Sequence, residues 1–114
     1  MAIQRSYTSR QGVVANEAYH RIMSVDYRAE GWGEKYGSSG TNTKMTIAIY
    51  TDANSRQNGF DALDIMSITF TMNVSNTGAN PVTQAYEALK TKTAVVDQTG
   101  EWKDIDYTSN TIDV

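Results

Sequence analysis

At 114 residues the chain is long enough for one compact domain and too short for two ordinary ones, so a single domain over 1–114 is expected. Hydrophobic residues make up 39%, aromatics 10% and charged residues 20%, a balance that argues against a disordered or fibrous chain. A net charge of −3 speaks against nucleic acid as the partner, and the lack of Cys excludes disulfides, thiolate metal sites and a cysteine nucleophile. Residues 1–20 are too polar for a secretory signal, and no apolar run approaches the ~20 residues that span a bilayer, so no membrane partner is expected.

In chain order, residues 1–11 are rich in Ser, Thr, Arg and Gln without a helical stripe and read as an extended arm or an edge strand. As an arm, the segment would order only on a neighbour and add little to stability. A strand follows over 19–27, with Tyr19, Met23, Val25 and Tyr27 on one face and Arg21 interrupting it. Glycines over 30–40 predict a loop. Residues 43–51 alternate cleanly, placing Met45, Ile47 and Ile49 on one face, which predicts a half-buried strand. A polar connection over 52–59 leads to a second alternating strand over 65–74, with Met66, Ile68, Phe70, Met72 and Val74 on its apolar face.

One helix is expected over 80–90. Asn80 can cap it, Pro81 suits its first turn, and Val82, Ala85, Tyr86 and Leu89 form the face that docks on the sheet. Ala94-Val95-Val96, Gly100 and Trp102 to Tyr107 predict a hairpin, and 108–114 reads as a second arm or a frayed end. The fold class is therefore α+β: a mainly antiparallel sheet, sandwich- or barrel-like, carrying one docked helix.

Residues that could carry chemistry are few. His20 is the sole histidine, and Ser24 and Asp26 share its parity without a nucleophile elbow, so a triad is not expected. Asp52-Ala-Asn54-Ser-Arg56 opens like a calcium loop but carries Arg56 at the fifth position and Gly59 two places late. The pairs Asp61 with Asp64 and Asp104 with Asp106 read as solvated surface acids. Gly31, Gly33 and Gly37 miss the dinucleotide spacing, so neither metal nor other cofactor is expected. Trp32 and Tyr36, set among Gly and Ser, suit a partner-facing loop, or Trp32 folds back to cover the sheet edge. Tyr50 and Trp102 are the further candidates for protein contact.

Two segments are informative together: Gly12-Val13-Val14-Ala15-Asn16-Glu17-Ala18-Tyr19-His20-Arg21-Ile22, and Asn80-Pro81-Val82-Thr83-Gln84-Ala85-Tyr86-Glu87-Ala88-Leu89-Lys90-Thr91. They resemble a group of small proteins encoded among the virion genes of tailed bacteriophages. In that group a Gly-hydrophobic start leads into an Ala-Tyr-His strand, and an Asn-Pro-hydrophobic helix ends in Leu-Lys-Thr. The chain departs from the pattern after Thr91, where residues 94–110 precede the acidic ending.

The resemblance implies a non-enzymatic structural protein of the phage particle, made in the host cytoplasm. Its partners would be other virion proteins and copies of itself. A multicopy tail or baseplate subunit is the expectation, with capsid decoration as the alternative. The rival from another class is a carbohydrate- or surface-binding β module, in which Trp32, Tyr36 and Tyr50 would stack on sugar faces.

Overall fold

A computed structural model describes residues 1–32, 41–59, 61–75 and 78–114. Strands β1 (Ile3–Thr8), β2 (Val14–Tyr27), β3 (Thr43–Tyr50), β4 (Asp64–Phe70), β5 (Ala94–Val96), β6 (Trp102–Asp104) and β7 (Ile112–Asp113) form one sheet, with helices α1 (Ala53–Gln57) and α2 (Pro81–Leu89). Its order is β6-β5-β4-β3-β2-β1-β7 and its pairings are antiparallel. The sheet is therefore an up-and-down meander that curls into a half-barrel, with β7 returning to the far side of β1. This is the α+β, mainly antiparallel architecture that the sequence pattern implies.

The alternation in β3 and β4 places Met45, Ile47, Ile49, Met66, Ile68 and Phe70 in the core, all at most 4% exposed. β4 ends at Phe70, short of the expected 74, and Val74 lies outside the strand at 60% exposure. Helix α2 covers the core. Asn80 Oδ1 accepts from Thr83 N–H at 3.1 Å, Pro81 occupies the first turn, and Ala85, Tyr86 and Leu89 are buried. Val82 departs from the expected face and is 45% exposed, leaving a docking stripe of three residues. The helix start is anchored to the end of β4, where the Gln84 amide accepts from Asn73 N–H at 2.7 Å and donates to Asn73 O at 3.0 Å.

Strand β2 departs most from its expected pattern. Its buried residues are Ala15, Ala18, His20 and Ile22, while Met23 is 54% exposed. Two irregularities explain this. The step from Arg5 to Tyr7 on β1 is matched by the step from Ala18 to Ala15, so β2 carries an extra residue there. The step from Ile47 to Thr46 on β3 is matched by that from Ile22 to Ser24, a second extra residue on β2. Each bulge reverses the parity of the side chains beyond it. Val25 consequently returns to the core side and packs there half-buried.

The polar connection over 52–59 holds α1, a single turn capped by Asp52, whose carboxylate accepts from Ser55 N–H at 2.8 Å. Residues 1–11 contain β1, extended as expected but flanked by β2 and β7 rather than lying at an edge, with Ile3 fully buried. Ala2 and Val114 exchange backbone hydrogen bonds of 3.0 Å in both directions, so the last residues belong to the sheet as well.

Two outcomes test this packing. Leu89→Ala should cost about 2–5 kcal/mol, read from the chemical denaturation midpoint, because the side chain is fully buried. Deleting residues 1–8 should abolish cooperative unfolding followed by circular dichroism. A truncated chain of unchanged stability would mean that β1 is an appended arm.

Candidate functional site

The unequal lengths of β1 and β2 create the most distinctive surface. β1 pairs with β2 only as far as Ile3 opposite His20, whereas β2 continues alongside β3 to Tyr27 opposite Thr43. Beyond His20, β2 has no strand on its β1 side among the described residues. The first uncovered group, Ile22 N–H, donates to Tyr86 Oη at 2.9 Å, and the same hydroxyl donates to Met1 O at 2.7 Å. Tyr86 thus stands in for the strand that β1 fails to supply. No described strand pairs with residues 23–27 on that side.

The chemistry of this edge follows from strand geometry. Arg28 N–H donates to Asn42 O at 2.8 Å, on the β3 side, and backbone groups alternate sides along a strand. Asp26 therefore also turns its backbone to β3, and Val25 and Tyr27 turn theirs to the open side. Gly31 closes the strand end. Its N–H donates to Arg28 O at 2.9 Å, its φ is +80°, and a Cβ there would lie 2.9 Å from Thr41 O.

Trp32 folds back over this end. Its N–H donates to Thr41 O at 3.1 Å and its indole Nε1 to Asp26 O at 3.3 Å. The Arg28 guanidinium lies 3.9 Å from the ring centre and Lys44 Nζ 4.8 Å. The indole hydrogen bond and these two cations hold the ring over the β3 side of the strand end. Tyr36 lies outside the described residues.

Tyr50 pairs with Tyr19 across the strands, ring centres 6.5 Å apart. It ends β3 at the opposite end from Thr43, about 23 Å away at strand rise, so it cannot share a site with Trp32. Trp102, 47% exposed on β6, lines a cleft of about 280 Å³ with Thr41, Ile68, Thr69 and the residues preceding β5. Of the described candidates, Tyr50 therefore lies apart from Trp32. The open edge itself, Met23 to Tyr27, was not singled out by composition. Its signal in the sequence is the β-favouring stretch from Val13 to Tyr27, fifteen residues against the eleven of residues 1–11.

Beneath the sheet lies a buried polar cluster. His20 is fully buried, and its Nδ1 lies 2.8 Å from the Tyr107 hydroxyl, while no partner for its Nε2 is found among the described residues. Tyr7 and Tyr107 pack edge-on against its ring, with centres 5.8 and 5.4 Å away. Tyr7 donates to Asp64 Oδ2, which also accepts from Arg10 N–H at 3.2 Å. Arg5 donates to Asp106 O and lies over the Tyr107 ring. Burial, and secondarily the positive Arg5 nearby, pushes His20 down to about 3, and burial raises both tyrosines above their ordinary range.

The cluster ties β1, β2, β4 and the residues after β6 together. Asp64 is used by Tyr7 and Arg10 and is buried at 4% exposure, a correction to the solvated surface acid expected, whereas Asp61, Asp104 and Asp106 are exposed and Asp106 is used by Thr108 and Ser109. Among the described residues, no three His, Cys, Asp or Glu side chains converge to hold a metal ion. No described helix is long and apolar enough to cross a membrane. No family model, curated protein or solved structure matches the chain.

His20 gives a pH prediction. The unfolded chain takes up a proton near pH 6.5 while the folded one resists to about 3, so this stability is present above 6.5 and is lost as pH falls towards 3. The full effect is on the order of 5 kcal/mol at 1.36 kcal/mol per unit. Urea midpoints should fall between pH 6.5 and 4.5 in the wild type and stay flat in His20→Gln. Equal slopes would place the titration elsewhere.

Proposed function

We propose that this chain is a non-enzymatic structural subunit of a tailed-phage particle, present in many copies in the tail or baseplate and acting through protein contacts. The observation that carries the reading is the edge of β2 that no described strand covers, with Met23 at 54% and Tyr27 at 47% exposure and no lysine or proline among residues 23–27. Folded chains commonly blunt such edges with lysine, proline, bulges or covering elements, because open backbone groups recruit further strands. Here the bulge at Met23 and the Tyr86 hydroxyl deal with the start of the edge, and the remainder is left for pairing. The resemblance of residues 12–22 and 80–91 to small virion proteins supplies the setting.

A surface of this kind works by geometry. Backbone hydrogen bonds across a joint give affinity that depends little on side-chain identity, and the side chains on either face set register and partner choice. The carbohydrate-binding alternative draws no support from its expected platform, since Trp32 is occupied by Arg28 and Lys44, and Tyr50 sits at the far end of β3.

Quantitative mass spectrometry of density-purified particles tests the reading. The chain should be present at far fewer copies than the major capsid protein, in a fixed ratio to other tail proteins. A copy number comparable to the capsid protein would indicate decoration, and absence from particles would refute a virion role.

A further inference from the structure

Resting on the reading that copies of this chain contact one another, we propose that two copies pair antiparallel through the open edge of β2, about a two-fold axis at Tyr27. Three observations meet at this place. The backbone of Tyr27 faces the open side, so two copies with Tyr27 opposite Tyr27 exchange an N–H and a C=O in each direction. The neighbours of Tyr27 are Asp26 and Arg28, of opposite charge. Neither side chain makes an ion pair among the described residues, although Lys44 stands directly across from Asp26 on β3.

In an antiparallel pair centred on residue 27, residue 26 of one copy falls opposite residue 28 of the other. The axis therefore produces two Asp26 to Arg28 pairs on one face and sets the two Tyr27 side chains together on the other. Shifting the axis by one residue to Asp26 would set the two carboxylates against each other, which is unfavourable. Centring on Val25 would leave Asp26 opposite Ser24 and Arg28 without a partner. Charge thus selects one register from those the free backbone permits.

The rest of the strand end is prepared for this contact. The guanidinium carbon of Arg28 lies 3.9 Å from the Trp32 ring centre, and a guanidinium held against an aromatic face can still turn its edge donors to a carboxylate. The indole also holds the Asp26 carbonyl on the β3 side, away from the pairing edge. Upstream, the hydroxyl of Tyr86 and the chain at Met1 occupy the edge at Ile22, so an incoming strand is limited to the residues that follow.

The lack of native Cys makes the test direct. Cysteine placed at Tyr27 would face its own copy at the ~5.5 Å Cα separation of a hydrogen-bonded pair, within disulfide range. Under mild oxidation Tyr27→Cys should give a covalent dimer, whereas Val14→Cys, more exposed at 65% against 47% but in the covered half of β2, should not. Sedimentation should show Asp26→Arg and Arg28→Asp each weakening self-association by roughly tenfold or more, and the double reversal, which rebuilds both pairs, recovering it. Recovery also separates a lost contact from a lost fold. The contact is overturned by equal cross-linking of the two cysteine variants, by none at Tyr27, or by a double variant as weak as the singles. Particle composition remains a separate readout: cross-linking by a chain absent from particles would sink the virion role alone, and a particle protein without cross-linking would sink this contact alone.

Discussion

Tyr86 places one hydroxyl where three parts of the chain meet. It caps the Ile22 N–H that β1 is too short to cover, reaches back to the carbonyl of Met1, and fixes α2 over the core. The constraint behind it is a mismatch of lengths, six residues in β1 against fourteen in β2. A buried or half-buried N–H left unpaired costs about 1–3 kcal/mol, so the mismatch must be resolved at its inner end. At its outer end, where solvent reaches the strand, water can satisfy the backbone until another strand displaces it. One feature of the sheet therefore anchors the helix and opens the edge.

The polar cluster around His20 belongs to the same frame. A histidine wholly enclosed by the sheet stays neutral, and Tyr107 reaches it from the segment that follows β6 while Tyr7 reaches Asp64 from β1. These contacts link chain ends to the middle strands. They explain why β1 and the C-terminal residues behave as sheet components instead of arms. They also fix the part of β2 just before the open edge, so that residues 23–27 extend from a rigid base.

Much of the fold was legible in the residues themselves. The alternation of Met45, Ile47 and Ile49, the Asn80-Pro81 start of α2 and the Gly100 turn each have one physical meaning, and each holds in the structure. The face of β2 was misread because periodicity counts residues and cannot see the two bulges that shift its phase. Helix α1 was missed because Asp52, Asn54 and Arg56 were weighed as a failed calcium loop, while Asp52 serves as a cap. Trp32 was ambiguous because one of its cation partners, Lys44, comes from a strand further along the chain. The edge was hidden for a different reason: it is set by where β1 stops pairing with β2, and a single sequence does not display pairing partners.

Amide hydrogen exchange by NMR, on dilute monomer and then on concentrated protein, tests the central claim that β2 ends in an open strand edge. In the monomer the account predicts fast exchange at Val25 and Tyr27, slow exchange at Asp26 and Arg28, and protection at Ile22 that is lost in Tyr86→Phe. Concentration should then slow Val25 and Tyr27. Uniform protection across residues 22–28 in the dilute monomer would contradict it, because the edge would already be covered within one chain.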